Sequence, residues 1–221
     1  MLPDYQLPDY EAAGVREDNL LLKLWRHPRA TLHYILTHCP DKYVTVLLVL
    51  GGITRAVDRV QQKGPGHMSV DSALTAAVIV GGLTGWITYY FYSWGLEFTG
   101  RWLGGRADAA TFRTVIAWAL VPTCFTLLTT SLAYAIQGDS FFQADGDYDM
   151  ATPGGLLVLL LGMLEVVLAV WTLVIFVQGT RLVQQFSAWR AASNIVLPGV
   201  ALVALILGFM GLYELLMAAT A

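Results

Sequence analysis

Four stretches of the chain, approximately 71–97, 111–136, 154–179 and 194–217, are long, mostly apolar runs bounded by polar turns. A helix needs roughly 20 such residues to cross the hydrocarbon core of a bilayer, where each backbone amide must find its partner within the segment. The connecting segments "GRWLGGRADAA", "QGDSFFQADGDYDMATP" and "RLVQQFSAWRAAS" are polar and short. With 56% hydrophobic and only 13% charged residues in 221, the chain exceeds what a soluble core requires. It reads as an integral membrane protein, and nothing in it points to nucleic acid.

A fifth candidate precedes these four. "DKYVTVLLVLGGITRAVDRV", residues 41–60, begins like a span but runs into Arg55, Asp58 and Arg59. Tyr43 to Val57 alone reaches only about 22 Å, too little to cross; extended to Val60 or Gln61 the helix would traverse, provided Arg55 is accommodated. The basic residues argue that it does. With five crossings, Arg16, Lys23, Arg26, Arg29 and Lys42 share a side with Arg101, Arg106, Arg113, Arg181 and Arg190, whereas Arg55, Arg59 and Lys63 face the other. That asymmetry puts the N-terminus in the cytoplasm and the C-terminus outside. The expectation is an all-α polytopic protein, residues 41–217 forming a five-helix bundle with spans near 41–60, 71–97, 111–136, 154–179 and 194–217.

Residues 1–18 are acidic, contain proline, lack the apolar core of a cleavable signal peptide and read as a disordered tail. Residues 19–39 interleave Leu and Trp with Lys23, Arg26, Arg29 and three histidines, and Pro28 divides them into two short amphipathic helices. These either lie in the headgroup layer, where anionic lipid would attract them, or pack on the bundle's cytoplasmic face.

Charges at mid-depth are the candidate functional residues, because an isolated charge at a helix centre costs about 2.5 to 3.5 kcal/mol. Helical rise puts Arg55 roughly 20 Å from the cytoplasmic boundary and Glu165 at a nearly matching depth. The two are expected to face each other as an interhelical clamp; Glu214 approaches the same outer half and is expected to join Arg59. In the alternative reading, Glu165, Arg55, Glu214, Asp58 and Arg59 line a proton or ion pathway. Close helix packing is expected at Gly81 with Gly85, and more loosely at Ala204 with Gly208, within one subunit or between copies. Pro122 should kink the third span. Cys39 and Cys124 read as free thiols.

Enzyme signatures are missing: there is no H-E-x-x-H, G-x-S-x-G, phosphate loop or C-x-x-C. His27, His33, His38 and His67 lack the spacing of a helical metal site. Asp145, Asp147 and Asp149 alternate as in a calcium loop but lack its closing glutamate, so a solvated acidic loop is expected. No cofactor or metal is expected.

Several segments, taken in order, resemble the Yip1 family, most closely its bacterial members. They are "LWRHPRATLHYI", "DKYVTVLLVLGGITRAVDRV", "YSWGLEFTGRWLGGRADAATFRTVIAWALVPT" and "EVVLAVWTLVIFVQGTRLVQQFSAWRAASNIVLP". The shared elements are a Trp-x-x-Pro entry, a Gly-Gly-Arg turn, a proline in the third span, and a Trp followed by an apolar run and a glycine. The resemblance implies a five-helix membrane domain with a cytoplasmic N-terminus. It assigns no catalytic residues, and the "DLYGP"-like stretch associated with trafficking members that engage Rab GTPases does not occur here. Two functions follow as expectations: a non-enzymatic scaffold or adaptor in the bacterial inner membrane, with a protein partner, anionic lipid or a second copy docking on it, or a small transporter or channel subunit.

Overall fold

A computed structural model describes residues 8–142 and 152–220, with no side-chain description at 212, 214–216 and 218–220. The acidic loop at Asp145, Asp147 and Asp149 and the side chain of Glu214 lie outside the described residues. Those described form helices joined by short turns, without a strand. In order they are α1 (Leu20–Arg26), α2 (Pro28–His38), α3 (Val44–Lys63), α4 (Val70–Trp102), α5 (Ala109–Ala119), α6 (Val121–Cys124), α7 (Thr126–Gln137) with a 3-10 turn (Gly138–Phe142), α8 (Pro153–Gln184) and α9 (Ala188–Thr220).

Local chemistry starts the long helices. Ser69, Asp108 and Thr152 are N-caps whose side-chain oxygens accept from the amides of Ser72, Thr111 and Gly155, satisfying donors that the first turn leaves free. Pro28 and Pro153 occupy first-turn positions, where the missing amide costs nothing. Gly104, at φ +83°, turns the chain out of α4. Around Pro122 the third apolar run breaks into α5, α6 and α7, and the two halves bend by 44°.

Among the described residues, α4, α8 and α9 are long and apolar enough to cross a membrane, and the bent run from α5 to Phe142 makes a fourth if it is one crossing. The expected count of five is therefore met only as three or four. The difference lies in α3, whose 20 residues include Arg55, Asp58, Arg59 and Lys63 and so fall short in apolarity.

α3 nonetheless packs on α4 more closely than any other pair of helices. A methyl group at Gly52 would come within 2.6 Å of the Gly81 carbonyl oxygen and 2.8 Å of Gly85 Cα, so the two backbones touch. The glycine pair at 81 and 85 thus serves packing within the chain. Ala204 is exposed and Gly208 meets nothing within 4 Å, so the second small-residue pair packs on no part of the described chain.

The main core joins the N-terminal helices to the bundle. Leu24, Leu32, Ile35, Leu48, Leu96, Phe112, Trp118 and Ile175 are buried together. Trp118 Nε1 donates to the Lys42 carbonyl at 3.2 Å, and Thr114 Oγ1 to that of Pro40 at 3.0 Å. α1 and α2 therefore bury their apolar face in the bundle, leaving Leu21 and Leu22 exposed. The stretch expected to be disordered also packs from Pro8 onward: Val15 is buried, and Tyr10 contacts the rings of His33, Tyr34 and His38.

At the same end, α9 is tied down by Tyr92 OH donating to the Ile195 carbonyl at 2.7 Å, by Thr99 Oγ1 donating to Asn194 Oδ1 at 2.8 Å, and by Gly95 seating Pro198. From Gly199 to Gly211 every residue is exposed. A helical stretch that is apolar on all sides and exposed along its length is suited to lipid or to another protein.

Candidate functional site

α3, α7 and α8 converge at the opposite half of the bundle. Between them lies a cleft of about 580 Å³ lined by Asp58, Gln61 and Gln62 of α3, Thr123 of α6, Thr126 of α7, and Glu165 of α8. Helical spacing explains the α3 contribution. Asp58, Gln61 and Gln62 follow one another at i, i+3 and i+4, so one face carries all three.

Glu165 is half-buried and its Oε1 accepts from Thr129 Oγ1 at 2.6 Å and Thr130 Oγ1 at 3.2 Å. Thr129 has a single proton and a second acceptor in reach, the Thr126 carbonyl at 3.0 Å. The shorter distance and the carboxylate's charge assign that proton to Glu165. Thr123 and Thr172, whose hydroxyls are 2.7 Å apart, fasten α6 to α8 further along.

The expected Arg55–Glu165 clamp does not form in this arrangement. Arg55 is exposed, as is Arg59, and the ion pairs among the described residues are Lys42–Glu17 and Arg101–Glu97. Depth along the helices pointed to α3 and α8, which both line the cleft; on α3 it is Asp58, about 60° round the helix from Arg55, that lines it, while Arg55 is exposed. Whether Arg59 meets Glu214 lies outside the described residues.

The hydroxyls of Thr129 and Thr130 were not singled out from sequence; adjacent threonines inside an apolar run, one helix before a lone glutamate, are the signal that could have found them. Two buried amides at the other end were also missed. Gln184 Oε1 accepts from the Ala107 amide at 3.1 Å, pinning the Gly-Gly-Arg turn, and Asn194 holds Thr99. Gly100 and Gly105 lie so close to Gln184 that no side chain would fit at either.

Outside the apolar segments Asp108 and Cys39 are among the groups shifted. The Thr111 hydroxyl and amide hold the Asp108 carboxyl below its ordinary value, and burial pushes the Cys39 thiol up. Cys39 and Cys124 are both free thiols. Among the described residues no three His, Cys, Asp or Glu side chains group as a metal ion would need.

Apolar helices of bilayer-crossing length, packed through glycines around a polar cleft, define a polytopic helical membrane protein. Its family follows from the sequence as a whole: the model of the Yip1 domain matches residues 22–210, nearly the entire chain, and the protein belongs to the Yip1 family. No curated protein and no solved structure matches it.

Proposed function

We propose that this Yip1-family protein is a non-enzymatic membrane scaffold whose basic end docks a protein partner or anionic lipid headgroups. The observation that carries the reading is the distribution of charge. Ten of the thirteen Lys and Arg residues lie from Arg16 through the N-terminal helices to Lys42 just before α3, and in or beside the α4–α5 and α8–α9 connections. Side-chain bonds through Gln184, Asn194, Thr114 and Trp118 cross-link these segments. A surface built this way is both charged and rigid, with Arg106, Trp189 and Arg190 exposed on it.

In this reading α3 is the fifth crossing. Its 20 residues extend about 30 Å, the thickness of the hydrocarbon core, and Gly52 near its middle meets Gly81 and Gly85 of α4. Five crossings place the ten basic residues together on the cytoplasmic side with the N-terminus, and the C-terminus outside. Resemblance to bacterial members favours the bacterial inner membrane.

Copurification from native membranes tests the docking. A partner or anionic lipid retained by the wild type should be lost from an Arg106→Glu/Arg190→Glu variant that keeps its helix content, and retention by the variant would remove the reading. The cleft holding Asp58 and Glu165 favours one alternative, a small proton or ion transporter. Vesicles with an entrapped pH-sensitive dye separate the two. The scaffold gives no flux above protein-free vesicles, whereas the transporter gives flux that Glu165→Gln abolishes.

A further inference from the structure

Residues 2–6 and 7–11 read Leu-Pro-Asp-Tyr-Gln and Leu-Pro-Asp-Tyr-Glu, one five-residue element written twice in succession. The second copy lies against α2, and Pro8, Asp9 and Tyr10 each have a separate task there. His33 Nδ1 donates to the Pro8 carbonyl at 2.9 Å. Asp9 Oδ1 accepts from the amides of Glu11 and Ala12 at 2.9 and 3.0 Å, folding the chain into a turn that Gly14 closes at φ +62°. That turn aims the Tyr10 ring at three others, edge-on to His33 (5.3 Å), Tyr34 (5.6 Å) and His38 (5.3 Å).

The seat for that ring belongs to α2 itself. Tyr34 and His38, four residues apart and so on one face of the helix, stack at 4.5 Å, and His33 precedes them. Charge favours the same occupant. Residues 19–40 hold Lys23, Arg26 and Arg29 and no carboxylate, whereas residues 8–18 carry Asp9, Glu11, Glu17 and Asp18 against Arg16. Lys23 Nζ donates to the Ala13 carbonyl at 2.7 Å, and Lys42, just beyond α2, pairs with Glu17 at 2.8 Å.

We propose that the ring seat on α2 is a docking site for an acidic, tyrosine-bearing segment of a partner protein, built on Pro-Asp-Tyr, and that residues 8–11 cover it as a tethered copy of that ligand. Val15, buried in the core five residues after Tyr10, is the tether. It keeps the cover at a high local concentration, so a partner must displace it. The element at 2–6 has the chemistry to take the place of the second, so both tyrosines must go before the seat is open. The inference rests on the scaffold reading and names the chemistry of its protein partner. Its site does not include Arg106 or Arg190: if Arg106→Glu/Arg190→Glu loses the partner but the seat takes no peptide, the scaffold stands and this inference falls.

The probe is a fluorescent peptide with the sequence of residues 7–14, LPDYEAAG, titrated onto the full-length protein in detergent and read by anisotropy. Tyr5→Ala/Tyr10→Ala should bind it about tenfold more tightly than the wild type, the handicap that a tethered competitor at roughly millimolar effective concentration imposes on a peptide of about 0.1 mM affinity. Binding should vanish for the same peptide with alanine in place of its tyrosine, a control that alters nothing in the protein. It should also vanish when His33→Ala/His38→Ala is added to the opened variant, with far-UV helix content confirming the fold. No binding to the opened variant overturns the proposal, as does equal binding to the opened variant and the wild type. Binding of the alanine peptide, or binding that survives in the folded histidine variant, overturns it too.

Discussion

Thr129 of α7 donates its hydroxyl proton to Glu165 of α8 across 2.6 Å, so the one carboxylate of α8 is held by a neutral neighbour and not by a cation. In an apolar surrounding such a bond gives the carboxylate a fixed direction without placing a second charge in the bundle.

Thr129→Val should therefore destabilise the protein by about 1 kcal/mol, within the range for interhelical side-chain bonds in membranes. Thr130→Val, whose bond is 3.2 Å, should cost less. Unfolding midpoints in detergent compare the two, and equal midpoints would show that the hydroxyls do not hold Glu165.

The two small-residue pairs predict opposite outcomes. Gly85→Leu forces a side chain into the Gly52 backbone and should cost about 3 kcal/mol or prevent folding, the upper range for overpacking. Gly208→Leu faces open space among the described residues and should leave the unfolding midpoint unchanged. Size-exclusion chromatography of the same variant reports whether the Ala204 and Gly208 face joins two copies.

Tyr92 and Asn194 hold the start of α9, and from Gly199 to Gly211 the helix beyond them is exposed. Tyr92→Phe removes the bond to the Ile195 carbonyl and should cost about 1 kcal/mol. Asn194→Ala removes the acceptor of Thr99. Hydrogen exchange should quicken over 188–198 in both variants and remain unchanged in α3; unchanged rates at 188–198 would mean that packing at Gly95 suffices.

The Asp108 cap predicts a pH dependence with a definite sign. Its folded value lies below the ordinary 3.8, so the carboxylate contributes stability that is fully present above 3.8 and is lost as the pH falls through the folded value. At neutral pH Asp108→Ala should cost about 1 kcal/mol, as for other N-caps. The difference between wild type and variant should close below about pH 3.8, read as converging unfolding midpoints; a gap that persists in acid would show that the cap acts without its charge.

What could be read ahead of the structure was whatever depends on period and length. The four long apolar runs became α4, the bent α5–α7 run, α8 and α9; Pro28 opened a helix and Pro122 bent one. Gly81 and Gly85 announced a close approach, though not that Gly52 receives them. Depth pointed to α3 and α8, which both line the cleft, yet it could not distinguish Arg55 from Asp58. Residues three apart differ by only about 4.5 Å in height and about 60° in direction, a step that neither depth nor period resolves and that the packing of the bundle decides.

By itself the sequence determined the class, the helices and the uneven distribution of basic residues, because the bilayer's thickness and the cost of unpaired amides act on each segment separately. Only the tertiary structure decided which side chain of α3 shares a cleft with Glu165, that α1 and α2 sink their apolar face into the core, and that α9 leaves the bundle at Pro198. These depend on how each helix is rotated about its axis. That rotation is set by contacts between residues far apart in the chain, and no periodicity within one segment carries it.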